Sequence, residues 1–298
     1  MAACLAHVAH ADDETTPAQA RADGKVTWLK PTTKWNVDYG ETRCRLARVF
    51  GAQEAPHLLY FEQTIPSASF NLTLAGPELT RYLLSKNTQL GLIDDLPMST
   101  IKSKRKGRMP DFGPALILTF HKLESEPEAN SASDTSPPDE TMTTGLDVER
   151  AARARHVTLR RGERVLSFET GSLRAPFKAL NACTTSLLEA WGFDSDRPTP
   201  AKFPSLVNAK AVAMEAAEQY PPKAERKRQE TYFNVFVVVE PDGSVSSCKL
   251  HKALAADSLD SPICSIVKEK GEFEAAVDAQ GKPMRYWYFT TIMYSMNP

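Results

Sequence analysis

Eight residues near the C-terminus, Tyr232 to Val239 (YFNVFVVV), leave little freedom in how that end of the chain is arranged. β-branched and aromatic side chains in so short a run form a buried strand rather than a helix. In Glu240-Pro241-Asp242-Gly243, proline presets φ, the aspartate bonds its own backbone and glycine takes the left-handed position, so the chain reverses into a second strand, Val245 to Leu250. A helix follows with both ends marked: Ser261 as cap, Pro262 at the first helical position, Lys268 and Lys270 in the last turn and Gly271 just past it. Its residues Ile263, Ile266 and Val267 share one face, which leaves water only by lying against the hairpin. Phe273-Glu274-Ala275-Ala276, a turn from Asp278 to Gly281, and a long strand from Met284 to Met296 complete the order strand, strand, helix, strand.

At these residues the chain resembles the C-terminal domain of TonB, the family that couples the inner membrane to outer-membrane transporters. The pieces that carry the resemblance are Tyr220-Pro221-x-x-Ala224, Asp242-Gly243, Leu259-Asp260, Phe273-x-x-Ala276 and Gly281-Lys282-Pro283, within residues 219–298. Two positions depart from the pattern: Ala275 stands where the family usually has proline, and Arg228-Gln229-Glu230 replaces the usual glycine. The resemblance implies a small helix-covered sheet whose open edge pairs with an extended peptide, as in the capture of outer-membrane transporter peptides. The last strand is the expected edge. Tyr286, Tyr288, Thr290, Ile292 and Tyr294 fall on one face, assigned here to a partner, and Trp287, Phe289, Thr291 and Met293 on the other. One face packs under the helix, and the other meets the N-terminal domain, a second copy of the chain in a homodimer, or a peptide.

A chain of 298 residues suggests two domains. From Lys25 to residue 193 it reads as a β-rich domain, an antiparallel sheet or sandwich, so the whole is of the α+β class. Strands are expected around Val26–Trp28, Trp35–Tyr39, Cys44–Leu46, His57–Phe61, Phe70–Leu74 and Ala115–Phe120. Gly76-Pro77-Glu78 opens a short helix with Leu79, Tyr82 and Leu83 on one side, and Val157–Phe168 reads as a hairpin turning at Arg161-Gly162. Ser172–Trp191 closes the domain as a helix, with Leu173, Phe177, Leu180, Leu187, Leu188 and Trp191 at helical spacing. Two stretches are linkers by composition: residues 123–147, rich in Ser, Pro and acid, and residues 194–218, proline-rich and ending in a modest helix.

Residues 1–24 begin small and apolar up to Ala9-His10-Ala11 and then turn acidic, like the tail of a signal peptide whose upstream part lies before Met1. If Cys4 leaves with it, four cysteines remain, two per domain. Cys248 and Cys264, on the second strand and the helix covering it, form one expected disulfide, and Cys44 with Cys183 the other. Both fit an exported, periplasmic protein, with membrane anchoring left open. No stretch is long or apolar enough to span a bilayer.

Signs of catalysis are sparse. The histidines at 7, 10, 57, 121, 156 and 251 are scattered without metal-site spacing, and there is no glycine-rich phosphate loop, nucleophile elbow or paired carboxylate motif. No catalytic residue, metal or small-molecule cofactor is therefore assigned. The balance of 36 Lys and Arg against 37 Asp and Glu gives no general pull toward nucleic acid. Lys102, Lys104, Arg105, Lys106 and Arg108 form a basic run that reads as a solvated loop or as a grip for anionic polymers, with no stacking aromatic interleaved. The arginines at 150, 153, 155, 160, 161 and 164 are expected to face the acidic excursion. The reading is a non-enzymatic envelope protein that binds a polypeptide by strand pairing. Two alternatives stand beside it: an energy transducer with its anchor upstream of Met1, and an envelope hydrolase on the N-terminal domain using His57 or His121.

Overall fold

The computed structural model describes residues 26–123, 145–219, 226, 231–252 and 261–294. The signal-peptide reading, the acidic excursion as far as residue 144, and the Tyr220-Pro221 and Leu259-Asp260 motifs lie outside the described residues, as do the side chains of Met293 and Tyr294.

The N-terminal part is built on two sheets. Strands β1 (Val26–Leu29), β2 (Asn36–Tyr39), β3 (Cys44–Phe50), β4 (His57–Gln63) and β5 (Phe70–Ala75) are followed by a turn of 3-10 helix at Pro77–Leu79 and helix α1 (Thr80–Leu83). Next come β6 (Gln89–Gly91), β7 (Ser99–Thr100), β8 (Arg105–Met109), β9 (Gly113–His121), helix α2 (Val148–Ala151), β10 (His156–Arg161), β11 (Arg164–Glu169) and helix α3 (Arg174–Ala190). An antiparallel six-stranded sheet runs β2-β3-β4-β5-β9-β8, and a five-stranded one β1-β11-β10-β6-β7. The second sheet is mixed, because β1 and β11 are distant in sequence and pair parallel; reading every neighbour as antiparallel misses this. The basic run is a loop only at Lys102 and Lys104, since Arg105–Met109 is the edge strand β8 paired with β9.

Register explains the core. Leu46, Phe61, Leu72 and Leu118 stand side by side across β3, β4, β5 and β9, each essentially inaccessible to water. Burying such a side chain contributes about 1.5–3 kcal/mol. Onto this row α3 lays Phe177, whose ring meets Phe61 edge-on at 5.0 Å, while Phe50 meets Phe168 of β11 at 5.4 Å and joins the two sheets. Leu79, Tyr82 and Leu83 are buried as their spacing predicts.

The C-terminal part comprises β12 (Ser205–Leu206), α4 (Ala209–Glu218), β13 (Thr231–Val239), β14 (Val245–Lys252), α5 (Ile263–Lys270), β15 (Phe273–Glu274), β16 (Ala276–Val277), β17 (Pro283–Met284) and β18 (Tyr286–Tyr294). Its three-stranded sheet runs β14-β13-β18, antiparallel throughout. The hairpin turn needs its glycine: Gly243 has φ +83°, and a Cβ there would sit 2.6 Å from the Phe273 carbonyl oxygen. Ile263, Ile266 and Val267 of α5 are buried on Phe233, Val235, Val237 and Val239, with Val212 and Ala216 of α4 closing the same cluster. Gly271 ends α5 in an extended conformation, φ −71°, rather than the left-handed one.

The stretch from 194 to 208, read by composition as a linker, is hydrogen-bonded along its length. The Ala201 N–H donates to the Val277 carbonyl at 2.8 Å, and β12 pairs with β15. Phe193, Phe236, Tyr286 and Trp287 belong to the same apolar cluster as the N-terminal core.

Candidate functional site

The candidate site is the outer border of β18. From Thr231 opposite Tyr294 to Val239 opposite Tyr286, β18 pairs residue for residue with β13, and among the described residues no other strand pairs with it. In a strand bonded on one side only, alternate N–H and C=O groups point away from the sheet and can pair with another chain.

The side chains of β18 are covered to different degrees. Tyr286 is 1% exposed, stacked on Trp287 and edge-on to Phe203 at 5.7 Å. Tyr288 meets Phe273 at 5.4 Å and, with Ile292, packs against the cluster under α5. Burial holds the Tyr288 hydroxyl above its ordinary titration range. Thr290 is half-buried and the Tyr294 side chain lies outside the described residues. Of the row assigned to a partner, Tyr286 is thus buried while Tyr288, Thr290 and Ile292 are half-buried beneath the helix and residues 203 and 273. The opposite face is covered too: Trp191 lies 4.0 Å from Phe236 and Phe193 4.9 Å from Trp287, ring centre to ring centre. Arg197 stacks on Trp287 at 4.1 Å and Arg285 on Phe193 at 4.5 Å. With both faces partly covered, the main chain of β18 is the most open part of the strand.

A polar network, invisible in the sequence, links the two parts on this face. Arg45 donates to the Glu62 carboxylate at 2.7 and 3.1 Å, and Arg43 approaches it to 3.7 Å. From the C-terminal sheet His251 brings its Nε2 to 3.5 Å from the Glu62 carboxylate, while its Nδ1 meets the Thr42 hydroxyl at 3.1 Å. Asn234 donates to Thr64 at 3.2 Å and accepts from Thr291 at 2.9 Å. Burial pushes the Glu62 carboxyl upward, but the His251 ring and the Arg45 guanidinium outweigh it and hold the group below the usual carboxylate range.

The cysteines stand in pairs at bonding distance: Cys44 with Cys183 at 2.03 Å, joining β3 to α3, and Cys248 with Cys264 at 2.06 Å, joining β14 to α5. His57 lies against Gly76 just past the end of β5 and His121 opposite Phe70 at its start, too far apart to share a reaction. Burial lowers the pKa of both. No group of three metal-ligating side chains occurs among the described residues. A shallow cleft of about 610 Å³ between the β3–β4 and β8–β9 turns is lined by Glu54, Pro56, Arg108, Asp111 and Phe112, with no Ser, Cys or His in its wall. Of the arginines expected to face the acidic excursion, Arg153 pairs with Asp95, and the Arg155 N–H and the His156 ring both meet Asp94.

Among the described residues this helix-backed sheet thus has the main chain of β18 bonded on one side only. Residues 216–296 match the family model of the Gram-negative bacterial TonB protein C-terminal domain. No curated protein and no solved structure matches the chain. Ala275, where the family usually has proline, lies between β15 and β16. No helix among the described residues is long and apolar enough to cross a membrane.

Proposed function

We propose that the chain is a non-enzymatic periplasmic protein that holds an extended polypeptide along β18 by adding it as a fourth strand to β14-β13-β18. The observation that carries this is the position of β18 at the border of the sheet, paired along its length with β13 alone among the described residues. Such a site supplies affinity through backbone hydrogen bonds, and sequence preference comes from the residues flanking the groove. The family match supports an outer-membrane transporter segment as the partner, and both cysteine pairs support an exported, oxidised state.

The experiment places a photoreactive residue at Thr290, half-buried on β18, and irradiates intact cells. Crosslinks to an outer-membrane polypeptide are expected. Crosslinks confined to this chain's own residues would remove the proposal, and crosslinks to a second copy would make the border a dimer contact. The energy-transducer reading rests on the family match alone; it gains if an apolar segment of about 20 residues is encoded in frame ahead of Met1.

A further inference from the structure

We infer that a basic surface around α1, with Leu84 at its tip, docks the protein onto an anionic phospholipid bilayer. Leu84 follows α1 directly and is 69% exposed, among the most exposed large apolar side chains described. It is held out rather than left loose. The Lys104 ammonium donates to the Tyr82 carbonyl at 2.8 Å and also to that of Ser85, on either side of Leu84, and Arg161 donates to the Arg81 carbonyl at 2.9 Å.

The cations around this tip come from separate elements: Arg81 within α1 and Lys86 after it, Lys104 just before β8 and Lys106 within it, and Arg161 and Arg164 at the β10–β11 turn. Arg161 stands directly opposite Arg164 in the hairpin, a like-charge pairing that costs stability. Burial, then the charges of Lys106 and Arg161, hold the Lys104 ammonium below its ordinary range. Against these six cations stand the carboxylates of Glu78, paired with Arg81 at 3.3 Å, and Glu163. A chain whose formal charge is −1 has thus gathered a local excess of positive charge, at a cost to its own fold, around one projecting leucine.

An acidic polypeptide would engage the charges and leave Leu84 in water. A bilayer carrying anionic headgroups satisfies both, with phosphates meeting the ammonium and guanidinium groups and the leucine entering the acyl boundary. This inference is independent of the strand-addition site, which lies on the C-terminal sheet.

The test is co-sedimentation of the full chain with vesicles of phosphatidylcholine, and with vesicles in which part of that lipid is replaced by phosphatidylglycerol. Binding is expected only to the second kind and should fall steeply with salt. Lys106→Gln with Arg164→Gln should weaken it about 25-fold, and Leu84→Ser about tenfold or more, with circular dichroism unchanged because all three side chains are exposed. Equal partition onto both vesicle types, or variants that bind like the parent, would overturn the inference. So would displacement from the vesicles by millimolar inorganic phosphate, which would mark a simple anion site, or retention on immobilised polyglutamate without partition onto phosphatidylglycerol.

Discussion

Gly76 shows how tightly single positions are set. Its φ of 153° lies in a region only glycine occupies readily, and a Cβ there would fall 2.1 Å from Cδ2 of the buried His57 ring. Gly76→Ala should cost at least about 1–3 kcal/mol from backbone strain alone, read as a lower denaturant midpoint at unchanged slope. Glu62 is the second such position. Its folded pKa is depressed from the ordinary 4.5, so its contribution is fully present above that value and is lost as pH falls through the lower, folded one. Glu62→Gln leaves Arg45 without its counter-charge and should destabilise the protein by about 3–5 kcal/mol at pH 7. Its melting temperature should then fall less than the parent's between pH 6 and pH 3, and an equal fall in both would refute this account.

Among the elements, those with local signals were readable in advance. The β13 run, the Pro-Asp-Gly turn and the helical spacing of α3 each depend on residues close in sequence and lie where that chemistry puts them, whereas α5 begins one residue later than its proline suggests, with Pro262 rather than Ser261 at the cap and an extended Gly271 at the end. What sequence order does not encode is which distant strand becomes a neighbour, so the parallel β1–β11 pair and the edge position of β8 were out of reach. One side of β18 was read as packing under the helix and the other as meeting the N-terminal domain, a second copy or a peptide; alternation alone cannot choose among these or say that residues 191–197 fold back over the far face. The network around Glu62 was hidden for the same reason, since Glu62 and His251 lie far apart along the chain. The cysteine pairs act at this scale. By chain entropy the Cys44–Cys183 link, spanning 139 residues, should contribute about 5 kcal/mol, and Cys248–Cys264, spanning 16, about 3. Melting of Cys44→Ser/Cys183→Ser and of Cys248→Ser/Cys264→Ser proteins, each against the oxidised parent, should show the larger loss for the first pair.

At the scale of the molecule, one apolar cluster runs from the N-terminal sheets through Trp191 and Phe193 to Phe236 and Trp287. Calorimetry should therefore show a single transition rather than two. Trp287→Ala should lower that transition as a whole by about 3–5 kcal/mol, whereas independent domains would leave an unshifted N-terminal peak.

The docked proline-rich stretch sets where this protein can be cut. A fragment trimmed to residues 216–296 keeps the family's sequence but forfeits β12, which borders β15, and uncovers Phe236 and Trp287, which residues 191–197 otherwise roof. Such a piece should self-associate through that bared aromatic surface at concentrations where a fragment beginning before Trp191 stays monomeric in sedimentation, so the workable boundary of the module lies upstream of its recognisable sequence.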